Sequence, residues 1–235
     1  MPKIAVAPRE RRWTGLSAED RRQERRALLL DAAFELLGSD GWEAMTVRSV
    51  LERARLNPRY FYESFGDLDQ LAVAVYDRVV DELGAVVWAA LATSKDAPAD
   101  QVGAVVRGIV EFIDEDRRRG RVLYVEGLGN EALNRRRIET GRMVVAFLED
   151  SAAARRPSGQ AADEVGRVAA SVLVGGFSQL LVDWLAGRMR TGRERLIGDA
   201  TTLFLALGDA AATVAAERAV SPGRLPTPPV KRRSG

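Results

Sequence analysis

Residues 46–65 read TVRSVLERARLNPRYFYESF, and this stretch decides the fold. Val47, Val50, Leu51 and Ala54 recur at the spacing of one helical face, with Thr46 just before them as an N-cap. Arg55-Leu56 breaks the pattern and Asn57-Pro58 restarts it. Asn is a favoured N-cap, and Pro at the first helical position gives up an amide that has no helical partner there. The second helix sets Phe61 and Phe65 one turn apart as core and leaves Arg59, Tyr60 and Tyr62 to face elsewhere. Two helices with so short a break fit a helix-turn-helix, whose second helix lies in the DNA major groove. The spacing alone equally allows an ordinary helical hairpin, so the flanking sequence has to decide.

Upstream, ERRALLLDAAFELLGSDGWEAM (residues 24–45) is an amphipathic helix. Leu29, Ala33, Leu36 and Leu37 form its buried stripe, and Gly38 and Gly41 are read as its end. Downstream, Asp67 caps a long helix from about residue 68 to 92. With this order on the page, the sequence resembles the TetR family of bacterial transcriptional regulators. The resemblance rests on Ala32-Ala33, Leu36-Leu37, Gly41-Trp42, Thr46-Val47-Arg48, Val50, Ala54, Leu56, Asn57-Pro58, Phe61-Tyr62, Phe65 and Leu71, in register without a gap. There are departures from the family pattern. Arg55 stands where the turn usually has Gly, which implies a turn of slightly different shape. Leu68 replaces a Lys that can reach phosphate, Ser64 replaces a frequent His, and Glu63 adds a negative charge. The compact head is therefore expected to hold DNA more weakly than its relatives do.

Charge distribution suggests what makes up the difference. The whole chain has 35 basic and 33 acidic side chains, a net +2. Residues 1–26 carry +4 and residues 221–235 another +4, leaving −6 for the middle. An acidic body with basic ends suits a polyanionic partner. Residues 1–20 are read as a flexible basic arm that follows phosphate or minor groove, and 220–235, with four prolines, as a disordered basic tail.

The chain has no Cys and no His, which removes thiol chemistry, imidazole bases and the usual zinc ligand sets. No metal or cofactor is expected. The opening MPKIAVAPRERR lacks the apolar core of a signal peptide, and no run reads as a membrane span; the best, from Leu196 to Ala216, is broken by Gly-Asp pairs. The cytoplasm, in association with the nucleoid, is the expected location. No nucleophile elbow, phosphate-cradling Gly loop or Ser/Lys dyad with recognisable context appears, so the chain does not read as an enzyme.

After Phe65 every long segment reads as helix: 68–92, then Pro98 to Asp116, a short apolar piece at 122–125, then 131–154, 160–189 and 193–217. The fold expected is all-α. A three-helix helix-turn-helix head occupies residues 21–66, and a larger helical ligand-binding and dimerisation domain occupies 67–219. The last two segments carry apolar residues on more than one face, with Gly175, Gly176, Ala200 and Ala211 permitting close approach. The resemblance implies that they pair with a second copy in a four-helix bundle, and a two-fold dimer suits a palindromic operator.

The expected DNA contacts can be assigned singly. Thr46, at a helix N-terminus, suits a phosphate. Arg48 can reach a guanine edge or a phosphate. Asn57, Pro58, Arg59 and Tyr60 open the second helix, with Arg59 the candidate for guanine and Tyr60 for a thymine methyl or backbone oxygen. By resemblance Tyr62 donates its hydroxyl to phosphate, and Ser64 can do the same. Resemblance also implies a small-molecule pocket in the C-terminal helices. Its candidate lining is Tyr76, Trp88, Phe112, Tyr124, Met143, Phe147, Phe177 and Trp184, although aromatics at helical spacing serve equally as core. The function implied is a repressor that binds operator DNA as a homodimer and is released by an unidentified small molecule. The alternative is a helix-turn-helix activator or architectural protein without small-molecule control.

Overall fold

The computed structural model describes residues 17–95, 97–153 and 160–220. Residues 1–16 of the basic arm, residues 221–235 of the tail and the loop 155–159 lie outside the described residues. The chain is all-α: α1 (Ala18–Ser39), α2 (Val47–Ala54), α3 (Pro58–Ser64), α4 (Leu68–Thr93), α5 (Pro98–Glu115), α6 (Arg117–Tyr124), α7 (Glu131–Ala153), α8 (Gln160–Leu185) and α9 (Arg193–Val220). Short 3-10 turns at Trp42–Ala44 and Glu126–Leu128 join α1 to α2 and α6 to α7.

Local chemistry sets the boundaries of the head. Ser17 and Asp20 form a capping box that starts α1, each side chain bonding the other's backbone N–H at 3.0 Å. Thr46 and Ser49 repeat the arrangement at the start of α2, at 2.9 and 3.0 Å. Asp67 caps α4 by accepting from the Gln70 N–H at 2.8 Å. Asn57 holds the N-cap position of α3, but its side chain makes no capping bond. The start of α3 therefore relies on Pro58 at the first helical position.

One of the two glycine readings changes. Gly38 does not end α1, which runs on to Ser39. A Cβ on Gly38 would fall 2.5 Å from Cβ of Arg118, so this glycine exists to let α6 cross α1. Gly41 is the true break, with φ of 90°.

Arg55 is the other correction. The turn does not change shape to suit a side chain; Arg55 itself takes the left-handed conformation, with φ 55° and ψ 47°. It is the sole non-glycine residue with positive φ among the described residues. Its N–H bonds the Leu51 carbonyl, closing α2 as a glycine would.

One continuous core runs through head and body. Leu29, Leu37, Val50 and Phe61 of the head meet Leu71 and Val75 of α4, and the same cluster continues through Val110, Ile113 and Leu181 to Leu196 and Ala200. Phe61 is fully buried and Phe65 nearly so, as their spacing predicts. Truncating a buried Phe of this kind to Ala costs about 3–5 kcal/mol. The division expected between residues 66 and 67 is thus the start of α4 and not a break in packing.

One helix differs from its sequence reading. Glu164–Leu185 within α8 is long and apolar enough by composition to cross a bilayer. Small residues and the isolated charges Arg167 and Asp183 obscure this in the one-letter sequence. In the fold this helix packs against α6, α7 and α9.

Replacing Arg55 by Gly removes the left-handed strain on a residue with a Cβ and should stabilise the chain by about 0.5–1 kcal/mol. A rise in the urea midpoint at unchanged slope checks this; a fall would mean that the Arg55 side chain contributes more than its backbone strain removes.

Candidate nucleic-acid interface

The helix-turn-helix presents one exposed face. Its open groove, about 650 Å³, is lined by Val47, Arg48, Leu51, Glu52, Arg55, Leu56, Asn57, Pro58 and Tyr62. A second shallow depression, about 250 Å³, lies at the junction of α1 and α3 among Glu19, Arg22, Gln23, Arg26, Glu63 and Ser64. Both concavities lie on the head.

Of the expected contact residues, Arg48, Asn57, Pro58 and Tyr62 line this groove and Ser64 lines the second depression, and several carry prior commitments. The Thr46 hydroxyl accepts from the Ser49 N–H at 3.0 Å and lies 3.1 Å from Ser49 Oγ, so it is occupied by capping. What α2 offers an anion is its exposed N-terminal turn. Arg48 is exposed and paired with Glu52 at 2.7 Å, one turn along the same helix. Arg59, also exposed, is paired with Glu63 at 2.7 Å. Ion pairs held at an exposed surface contribute little, so either arginine can exchange its partner for phosphate or guanine. Asn57 and Pro58 are exposed at the turn, and Tyr62 is 64% exposed with its ring edge-to-face on Phe61 at 5.2 Å. Tyr60 and Ser64 are half-buried.

Two contributors were not singled out by the motif. The guanidinium of Arg25 sits over the Tyr60 ring at 4.4 Å and lies 3.8 Å from the Glu63 carboxylate. Arg22 donates to the Glu63 carbonyl at 3.2 Å. Both lie on α1, one turn apart, and hold α3 from behind. The signal was present as a run of arginines, but charge counting assigned it to a basic end. Glu63 is consequently not an isolated negative charge: Arg25 and Arg59 share its carboxylate.

The eight residues proposed to line a pocket are not gathered into one cavity. Trp88 and Met143 are 60% and 53% exposed, and Phe147, 40% exposed, meets Trp88 edge-to-face at 5.3 Å. Phe112 is buried beneath the Arg119 guanidinium at 4.2 Å. Trp184 is buried and donates its indole N–H to the Thr191 carbonyl at 3.1 Å. Phe177 packs edge-to-face on Phe204 at 5.1 Å. Tyr76 is buried on α4, and Tyr124, at the end of α6, adjoins it. Helical spacing does not separate an inward face from one left open by a diverging neighbour.

This geometry defines a class: an all-α protein with a helix-turn-helix head packed onto a helical body. Residues 29–75 match the model of bacterial regulatory proteins, tetR family. The chain is 32% identical over 103 residues to the HTH-type transcriptional activator FasR of Mycolicibacterium smegmatis, covering 44% of this chain and 47% of that protein. It is 34% identical over 89 residues to the HTH-type transcriptional regulator BetI of Burkholderia thailandensis, covering 38% and 44% respectively. The chain thus spans about half the length of the curated relatives it matches. Among solved structures it resembles the multidrug binding protein EbrR complexed with imidazole, with TM-score 0.59, 25% identity, and 78% and 94% of the two chains covered. A putative transcriptional regulator from Pseudomonas aeruginosa superposes with TM-score 0.65 at 17% identity, covering 88% of this chain and 97% of that one. Residues 29–75 thus carry the N-terminal region of the tetR family of bacterial regulatory proteins, and the likeness to whole solved structures shows the fold of the rest.

Because Glu63 is the one acid in contact with Arg59, Glu63→Gln should release that cation for DNA. Binding to duplex DNA of any sequence should tighten, and the slope of log affinity against log salt should steepen by about one unit per added phosphate contact. Fluorescence anisotropy over a salt series measures both, and weaker binding would show that Glu63 is needed to hold Arg59 in place.

Proposed function

We propose that the chain is a DNA-binding transcriptional regulator that acts as a repressor, binds a palindromic operator as a homodimer, and is released by a small-molecule ligand. The observation that carries this reading is the exposed start of α3. Asn57, Pro58, Arg59 and Tyr62 stand there on a turn closed by Arg55, with the tetR family match covering the whole helix-turn-helix. Arg59 reads a guanine edge, and Tyr62 and Arg48 take phosphates. DNA as the partner places the protein in the cytoplasm.

The dimer reading is supported by α8 and α9. Val168 and Val172 on α8 are 63% and 56% exposed, and Gly175 and Gly176 follow on the same side. Leu203 on α9 is 66% exposed, with Ala206 and Ala210 beyond it. Apolar residues of this size beside small ones suit an isologous helix pairing. Two heads joined in this way can meet successive major grooves roughly 34–36 Å apart. A ligand that favours a different head spacing releases the DNA by shifting the population of dimers, with α4 as the lever because it packs against both α1 and the body helices.

Control of the opposite sign is the second reading, because FasR is named an activator. A reporter downstream of the bound site separates the two by rising or falling when the chain is expressed.

In-vitro selection with randomised duplex DNA tests the central reading and should recover an inverted repeat. Arg59→Ala should relax preference at one base pair per half-site with a loss of about 1–3 kcal/mol. Tyr62→Phe should weaken all sequences alike, since a phosphate carries no base identity. Sedimentation of the wild type at micromolar concentration should give the dimer mass. Recovery of no enriched sequence, or a monomer throughout, contradicts the proposal.

A further inference from the structure

Arg137 differs from its neighbours on α7. Arg135 pairs with Glu131 at 3.9 Å, and Arg136 pairs with Asp77 of α4 at 2.6 Å and with Glu139 at 3.4 Å. For Arg137 the described residues supply no carboxylate within ion-pair distance, and its hydrogen bond is to the neutral amide of Asn134, at 3.2 Å. Its Nε is buried and has no partner. Arg78 Nε is buried and unpartnered too, but that guanidinium already holds the Asp31 carboxylate at 2.6 Å and the Leu30 carbonyl. The charge of Arg78 is answered, and that of Arg137 is not. Arg137 as a whole is half-buried, so a counter-charge there would meet a guanidinium that water solvates only in part.

Three elements build the surroundings of this cation. Gly127 of the second 3-10 turn lies beneath it, and a Cβ there would sit 3.6 Å from Arg137 Cδ and Nε. On α4, Tyr76 is 3% exposed and lies near enough to Thr140 and Arg137 of α7 to sense both. Tyr124, at the end of α6, adjoins Tyr76. Burial pushes both phenols above their ordinary range, so both remain neutral hydrogen-bond donors. The acids nearest in the chain are committed elsewhere: Asp77 to Arg136, Asp69 to Asn130 and Glu126 to Arg121.

The same stripe of α7 opens with distance from this point. Leu133, one turn before Arg137, is 1% exposed. One turn after it, a Cβ on Gly141 would have nothing within 4 Å. Val144 and Phe147 follow at 42% and 40% exposed, with Trp88 of α4 against Phe147. Gly84, one turn before Trp88 on α4, also has open space at its Cβ position. An apolar edge thus runs from solvent toward an unpaired cation with Tyr76 beside it and Tyr124 beyond Tyr76.

We propose that Arg137, with Tyr76 and Tyr124, is the head-group site for an organic anion whose apolar chain lies along Val144, Phe147 and Trp88. The proposal rests on the reading of the helical body as a ligand-binding domain and specifies the ligand's chemistry. A carboxylate can accept from Nε and a terminal nitrogen of the guanidinium together, the geometry that arginine presents to planar anions. It also supplies the counter-charge that the fold withholds.

The experiment is calorimetric titration of the full-length chain with octanoate, decanoate and dodecanoate below their critical micelle concentrations. The matching n-alkanols and n-alkyl phosphates form the other two arms. An anion of some length should bind about tenfold or more tightly than its alcohol, the range for hydrogen bonds to a charged group. Whether alkanoate or alkyl phosphate is preferred tells which head group the site takes. Arg137→Met should remove the preference for anion over alcohol while the unliganded melting temperature holds or rises, because a buried unpaired donor has gone. Arg137→Lys should keep part of the preference. Equal binding of anion and alcohol, no binding in any arm, persistence of the preference in Arg137→Met, or unfolding of that variant overturns the inference. Each variant is also assayed on the selected DNA without ligand. Retained DNA binding without any anion preference would defeat this inference alone, whereas failure of the wild type to select DNA would defeat the regulator reading.

Discussion

The carboxylate of Glu126 is the fixed point between head and body. It is 9% exposed, accepts the backbone N–H of Trp42 at 2.9 Å, and takes the Arg121 guanidinium at 2.7 Å. Arg121 in turn donates to the carbonyl of Ser39, the last residue of α1. One acid from the body thus satisfies an amide in the link between α1 and α2, while its partner arginine satisfies the end of α1. The link needs this help because Gly41, at φ 90°, breaks the helix and leaves the Ser39 carbonyl and the Trp42 N–H without helical partners. A side chain on Gly41 would crowd the same carboxylate, since its Cβ would lie 3.1 Å from Glu126 Oε2. Beside this joint, Gly38 lets α6 cross α1 at Cβ contact distance. The direction in which α2 and α3 face follows from where α6 lies.

This arrangement gives physical content to the idea that a ligand in the body controls the head. The continuous core from Leu29 to Ala200 leaves no hinge of loosely packed residues between them. Packed interiors shift between discrete arrangements more readily than they deform, so under the proposed ligand control a change at α4, α6 or α7 would be passed on as a rotation of the head. Tyr76 and Tyr124 lie on α4 and α6, Gly127 lies on the 3-10 turn between α6 and α7, and Glu126 is the residue before it. A molecule seated at Arg137 would therefore act within one residue of the chain that holds the joint.

Much of the fold was legible in the sequence because its determinants are local. Thr46, Asp67 and Pro98 each start a helix within a residue of where periodicity predicts, and Phe61 and Phe65 are core as their spacing requires. Gly38 was misread because its reason lies 80 residues away, in Arg118 of α6. Arg55 was misread for a different reason: a non-glycine residue can take a left-handed turn when the surrounding helices impose it. In the candidate DNA face, the residues of α3 were legible from the motif. The commitments of Arg59 and Arg48 to Glu63 and Glu52 are one-turn spacings that the sequence also contains. The support from Arg22 and Arg25 was not legible, because it depends on how α1 crosses α3. The pocket aromatics were least legible of all, since Trp88 and Phe112 share a periodic context and differ only in what packs over them.

The most direct test of this account is the DNA affinity of Glu126→Ala, measured together with amide hydrogen exchange in the full-length chain. The account predicts faster exchange at Trp42, affinity for the selected DNA reduced by about tenfold, as for loss of a partner to a buried donor, and unchanged protection in α8 and α9. Full DNA affinity in a variant whose Trp42 amide has become free to exchange would contradict it, because the head would then be aimed without the joint.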